Sequence, residues 1–222
     1  MLKLINAMPP TNVYVVGAQC TGKTTLVNAL ECSFEPTPDV SPPAIVKEVA
    51  RSVLKIHNFT ALDITSSPDR CLALQNLILD AQRDAERHAL QDDQWIISDR
   101  SGLDPIVYAR RYIGHGAAEA MMASAAWREL RSRMSTSLIV VCEAGADWLV
   151  DDGVRLMPQD RDDWVDFHRE FCQVLEQVGL HYEVIPCAIA GIDERTAFVW
   201  SRWRAAAQRD NHGPMLEANG CS

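Results

Sequence analysis

One octapeptide limits the fold of this chain more than any other stretch. Gly17-Ala18-Gln19-Cys20-Thr21-Gly22-Lys23-Thr24 satisfies G-x-x-x-x-G-K-[ST] at every fixed position. It follows the apolar, β-branched run 12–16 and opens a segment that reads as helix from Lys23 to about Leu30. The pattern carries meaning only in that strand–turn–helix setting. Glycine lets the backbone fold tightly, so that several N–H groups converge on one anion at a helix N-terminus. Positions 17–25, Gly17 through Thr24 and Thr25, are therefore the candidate nucleotide cradle. Lys23 is placed to bridge β- and γ-phosphates, and the Thr24 hydroxyl to ligate Mg2+.

The rest of the chain alternates in the same way. Short apolar runs at 12–16, 44–48, 95–99, 137–142 and 182–185 read as strands. Helical patterns fall at about 49–57, 67–90, 117–133, 160–178 and 193–207, and the four prolines of 34–43 require a loop. Strands that are continuously apolar, without in–out alternation, belong to a parallel sheet covered on both faces. The expected fold is a three-layer α/β/α domain with a five-stranded parallel sheet. Residues 11–207 form that domain, 1–10 an N-terminal extension and 208–222 a loose polar tail. Ligands of such sheets bind at the carboxyl ends of the strands. Gly17, Glu48, Asp99 and Glu143 should converge there.

Composition narrows the class. The 222 residues suffice for one sizeable core, and the net charge of −9 opposes nonspecific nucleic-acid binding. Apolar stretches such as 138–142 are too short to span a bilayer, and the first ten residues carry no signal core. The seven cysteines are scattered and never form C-x-x-C, which argues against a disulfide framework or a zinc site. The expectation is a soluble cytoplasmic protein without membrane or nucleic-acid partners.

Two absences and one presence narrow the chemistry. No Lys lies in an Asn-Lys-x-Asp context, so a guanine-reading GTPase is disfavoured. The third strand ends Ser98-Asp99-Arg100-Ser101, not in the Asp-Glu of motor-type ATPases. An acid followed by Arg and Ser suits a small-molecule kinase. Asp99 can hold Mg2+ through water, and Arg100 can reach a phosphoryl group or orient a carboxylate.

Three further motifs follow in order: Lys47-Glu48-Val49-Ala50-Arg51, Asp99-Arg100-Ser101-Gly102-Leu103-Asp104 with Tyr108, and Asp151-Asp152-Gly153-Val154-Arg155. With the phosphate loop they resemble the AAA-type small P-loop family that includes the ribosylnicotinamide kinase domain. More distantly the chain is similar to deoxynucleoside and thymidylate kinases. The resemblance covers about residues 12–200. It implies a nucleoside- or nucleotide-kinase-like fold, ATP and Mg2+ as cofactors, and a hydroxyl acceptor on a nucleoside-like or other small metabolite. ATP over GTP follows from the resemblance alone, since Pro186–Gly191, where related folds hold adenine, offers no side chain that reads the base.

Glu48 is the candidate base, by its place after the second strand and by similarity to nucleoside kinases; Asp99 competes for that role. Arg51, one turn after Glu48, either holds the base or an acceptor anion, or forms a structural ion pair. Asp104 caps a helix if Pro105 is its first residue, and can also meet a substrate hydroxyl beside Tyr108. Gln75, Gln82 and Arg83 lie along the 67–90 helix and could read polar substrate groups, although most such residues merely face solvent. Among lid cations, Arg155 is favoured because the Asp152-Gly153 turn would aim it, with Asp152 as a possible acceptor contact; Arg161 is a further candidate. Arg128, Arg131 and Arg133 equally suit a helix C-terminal dipole. Two other readings stay open: a nucleotide-dependent switch acting on a protein, and a P-loop scaffold that works by binding. A homodimer is also open, with Trp200 and Trp203 as core or contact residues.

Overall fold

The computed structural model describes residues 11–38, 40–91, 95–146 and 157–211. Five strands form one sheet: β1 (Val13–Val16), β2 (Ala44–Val46), β3 (Ile96–Asp99), β4 (Leu138–Cys142) and β5 (Glu183–Ile185). Their order is β2-β3-β1-β4-β5, and every neighbouring pair is parallel. Val13 lies beside Ile97 on one side and Leu138 on the other. Gly17 therefore leaves the middle of the sheet.

Successive strand residues face opposite layers. Val13, Val15, Ile97 and Val140 pack against Leu26 and Leu30 of α1 (Lys23–Ser33) and Val199 of α9 (Ile192–Asn211). Tyr14, Val16, Ile96 and Val141 pack the other way, onto α4 (Pro68–Ala89), α5 (Leu103–Tyr112), α7 (Ala125–Met134) and α8 (Arg161–Gln177). Both faces bury apolar side chains, so the sequence shows no in–out alternation. A smaller cluster, with Val53, Ile64, Leu74 and Ile78, joins α2 (Ala50–Ile56), α3 (Leu62–Ser66) and α4 beyond the β2 edge.

Helix ends follow their caps. The Ser67 hydroxyl accepts the Arg70 N–H, with Pro68 as the first helical residue. The Asp160 carboxylate accepts the Asp163 N–H at 2.8 Å, and Gly179, at φ +67°, follows the end of α8.

Three expectations need correction. The helix expected over 117–133 is two, α6 (His115–Met122) and α7, because the Ser124 hydroxyl accepts the Trp127 N–H at 3.1 Å and starts a new helix. Alanine propensity is a weak preference that one capping side chain interrupts. Helix α3 was not anticipated, although Thr60-x-x-Asp63 carries half of a capping box: the Asp63 carboxylate accepts the Thr60 N–H at 2.8 Å. Helix α5 begins at Leu103, ahead of Pro105, so Asp104 is not its cap; the N-cap is Gly102. Residues 1–10 and 212–222, most of the expected extension and tail, lie outside the described residues.

Trp200 is buried in the core and Trp203 is half-buried against it. Trp203 stacks on Trp95 with centroids 4.9 Å apart, and its Nε1 donates to the Thr11 carbonyl at 2.7 Å. Trp200 Nε1 donates to Ser33 Oγ at 2.9 Å. Among the described residues no helix is long and apolar enough to cross a membrane.

One buried polar network ties β1 to the helical layer. Glu86, fully buried, accepts Tyr14 OH at 2.7 Å, Gln82 Nε2 at 2.8 Å and Arg133 Nη1 at 2.5 Å. Burial raises the Glu86 carboxyl pKa, against the pull of those three donors. Removing one partner of a buried pair strands the other charge, whereas removing both can be nearly neutral. Arg133→Met should lower unfolding free energy by about 3 kcal/mol, read as a fall in the urea midpoint. Adding Glu86→Leu to that variant should recover more than half of the loss; a double variant that falls further contradicts this account.

Candidate functional site

The phosphate loop is shaped at two glycines. Gly17, at φ +128°, sits so close to β4 that a Cβ would lie 2.8 Å from the Cys142 carbonyl oxygen. Gly22, at φ +79°, turns the chain into α1. Cys20 is also left-handed, at φ +59°. Left-handed residues within such a turn curve its N–H groups around one concavity that suits an anion. The loop's carbonyls are held by other groups. Trp164 Nε1 donates to the Gln19 carbonyl at 2.7 Å, Arg195 Nη2 to that of Thr21 at 3.0 Å, and Thr21 Oγ1 to that of Ala18 at 2.9 Å.

Lys23 is buried, its Nζ 2.5 Å from the Ala18 carbonyl. Burial first, and the Arg100 guanidinium next, lower its pKa to about 8, while Asp104 and Asp99 oppose the shift. Beside it, Thr24 Oγ1 donates to Asp99 Oδ2 at 2.5 Å. The other oxygen, Asp99 Oδ1, is buried without a hydrogen-bond partner. A buried carboxylate oxygen left unpaired is costly unless a cation or its water shell meets it. A hydroxyl and a carboxylate in contact are hard oxygen ligands of the kind Mg2+ takes. These residues fit that ion.

Arg100 follows β3 at φ +81°, a conformation that costs a non-glycine residue about 1–3 kcal/mol. The turn is secured by its own N–H, which donates to the Val15 carbonyl at 3.0 Å. The side chain is buried. Nε donates to Glu48 Oε1 at 2.7 Å and Nη1 to Asp104 Oδ1 at 3.2 Å. Burial works against the guanidinium charge, yet Glu48, Tyr108, Asp104 and Asp99 hold its pKa above the ordinary value. Asp104 Oδ2 accepts the Ser101 N–H at 2.8 Å, so its carboxylate staples the turn before α5. Burial raises the Asp104 pKa, against Arg100 and Lys23. Arg51 Nε meets Glu48 Oε2 at 3.1 Å, so Glu48 lies between two guanidiniums.

Two cavities meet at Arg100. One is the cradle itself, lined by Cys20, Thr21, Lys23 and Thr24. The other runs between α2, α3, α4 and α5 and is lined at its near end by Gln19, Glu48, Asp104 and Tyr108. Thus Gly17, Glu48 and Asp99 do converge. Glu143 leaves β4 at the same carboxyl edge, and its Oε2 accepts the Cys187 N–H at 2.7 Å.

Two places hold three glutamines whose surroundings differ from the expectation, one in the loop and one along α4. Gln19, expected as part of the nucleotide cradle, faces the second cavity, 3.5 Å from the Tyr108 hydroxyl. Gln75, read as solvent-facing, is buried in that cavity's wall; Gln82, read likewise, is buried in the Glu86 network. The first was hidden because loop patterns specify backbone. The second was detectable, since Gln75 and Gln82 lie one and four residues from the apolar marks Leu74 and Ile78 on α4. Arg131 donates to the Val178 carbonyl and Arg133 to Glu86 and Glu129, which makes both structural. Arg128 Nε reaches the Ser124 carbonyl of its own helix, and Arg161 holds the Gly145 carbonyl at 2.7 Å. Arg155 and Asp152, with Asp151, lie outside the described residues.

A family model described as an AAA domain matches residues 12–195. Among solved structures, NadR protein in complex with NR aligns with a TM-score of 0.60 at 19% identity, over 97% of this chain and 55% of that one. The chain thus spans about half the length of that neighbour. Thymidylate kinase from Candida albicans aligns with a TM-score of 0.55 at 17% identity, over 92% and 94% of the two chains. Deoxyadenosine kinase from M. mycoides with bound dATP aligns with 0.55 at 11%, over 87% and 99%. At these identities the likeness shows the fold. A search of curated protein sequences finds no match.

The lowered Lys23 pKa has a measurable consequence. A triphosphate held in this loop would be met by the charged ammonium, which persists below pH 8 and is lost above it. The Kd for Mg-AMP-PNP should be level from pH 6.5 to 7.5 and about tenfold weaker per unit beyond pH 8. Lys23→Met should bind weakly with no such slope. A flat wild-type titration to pH 9.5 would contradict the assignment.

Proposed function

This chain belongs to the AAA-domain family whose model spans residues 12–195, and from that membership we propose that it is an ATP-dependent small-molecule kinase. It transfers the γ-phosphoryl group of ATP to a hydroxyl of a nucleoside-like or other small metabolite. One observation carries this reading above the others. Arg100 lines both the phosphate cradle and a second cavity, so a phosphoryl group and an acceptor share one boundary residue.

The roles follow from position. The N–H groups of the 17–24 turn hold the nucleotide phosphates, and Lys23 balances their charge. Thr24 and Asp99 would hold Mg2+, which when bound would supply further charge neutralisation at the phosphates. Arg100 stands where charge develops during transfer. Glu48, fixed between Arg100 and Arg51, orients the acceptor hydroxyl and takes its proton on Oε2, the oxygen turned toward exposed Arg51. The acceptor oxygen bonds to phosphorus as the bond to the β-phosphate oxygen breaks, and ADP leaves. Asp104 and Tyr108 border the acceptor. Burial raises the Tyr108 pKa, so its hydroxyl stays protonated and able to donate.

The first test is ADP release from Mg-ATP with pooled hydroxylated metabolites. A pool should lift release well above the water background. With the acceptor so found, Glu48→Gln should lower kcat by about 10²–10⁴-fold and leave the AMP-PNP Kd within twofold. A uniformly low rate across pools, or full activity in the variant, would sink the reading.

A further inference from the structure

The walls of the second cavity describe what it accepts. Much of its lining is apolar: Leu54 from α2, Ala61 and Ile64 from the α3 region, Leu74 and Ile78 from α4, and Pro105 from α5. Behind this wall Val53 and Cys71 are buried, so the surface is backed by packed core. A phosphate, carboxylate or ammonium placed there would lose its hydration without gaining a partner.

The near end is charged but balanced. Among the described residues it carries two guanidiniums and two carboxylates, and they are matched. Arg100 meets Glu48 at 2.7 Å and Asp104 at 3.2 Å, and Arg51 meets Glu48 at 3.1 Å. An anionic acceptor finds no cation here that is not already bridged to an acid. A cationic acceptor finds carboxylates already neutralised by arginine.

One polar group interrupts the apolar wall. Gln75 is only 2% exposed and lines the cavity between Leu74 and Ile78. Its carboxamide is hydrogen-bonded to the Cys71 thiol behind the wall and has further donor and acceptor capacity, without charge. In an otherwise apolar surface it selects one orientation of a ligand that carries a complementary uncharged group.

We infer that the acceptor is an uncharged alcohol with a compact apolar body, its hydroxyl at Glu48 and one amide-like or ring-nitrogen group at Gln75. Among the described residues these walls offer no unmatched charge to a phosphorylated, carboxylate or cationic metabolite. The inference rests on the kinase reading for the fate of the hydroxyl, and on the cavity alone for the class of ligand.

Binding and turnover separate the two. Calorimetry on the protein loaded with Mg-AMP-PNP would use uncharged probes (thymidine, adenosine and N-(2-hydroxyethyl)benzamide) against charged ones (thymidine 5′-monophosphate, pantothenate and nicotinamide riboside). At least one uncharged probe should bind 100-fold tighter than every charged probe, and should raise ADP release from Mg-ATP. Gln75→Leu should raise the acceptor KM at least tenfold, with kcat and the ATP KM within twofold. Leu54→Glu, at a half-buried position that tolerates a polar side chain, should abolish probe binding and spare AMP-PNP binding. Uncharged probes that bind through Gln75 without ADP release would uphold the inference and sink the kinase reading. A charged acceptor that is phosphorylated faster would do the reverse. Failure of every uncharged probe to bind would overturn the inference.

Discussion

The buried guanidinium of Arg100 is the interaction on which the site depends. It sits one residue past β3 in a left-handed conformation and joins the acid that follows β2 to the acid in the first turn of α5. Without those carboxylates its burial would be prohibitive, and without the guanidinium two carboxylates would face each other in a low-dielectric cleft. Each member is tolerable only because the others are present. The backbone strain at Arg100 is held by the bond to Val15, in the strand that leads into the phosphate loop. Strand order does the rest, since β1 and β3 are direct neighbours and their carboxyl ends are adjacent.

The phosphate loop is held by groups far from it in sequence. Trp164 from α8 and Arg195 from α9 lie in opposite helical layers, yet each donates to a loop carbonyl. Gly17 presses against β4 so closely that no side chain fits. The cradle is thus a product of all three layers, and anchoring its carbonyls leaves N–H groups available to an anion.

Much of this was legible in the residues. The octapeptide and its setting placed the cradle, and the short apolar runs placed all five strands to within a residue or two at most ends. Buried parallel strands and capped helices leave local signatures, which is why Ser67-Pro68 and Asp160 marked the starts of α4 and α8. The acceptor side was less legible. Glu48 and Arg51 were singled out by spacing, but spacing left their relation open; the structure places them in contact, with Arg100 on the other side of the carboxylate. Asp104 was expected as a helix cap, and only the early start of α5 turned its carboxylate back onto Ser101.

The sequence by itself determined the five strands, most of the helices, their alternation and the chemistry of the loop, because these rest on local backbone preferences and on contacts within a few residues. Only the tertiary structure decided which charges neutralise one another and what surface remains. Arg133 could have served a lid until α7 packed beside α4 and set it on Glu86. Gln75 could have faced water until α2 and α3 closed over α4 and made it a wall. Ion pairing and cavity shape depend on residues brought together across strands and layers, and no spacing along the chain encodes that proximity.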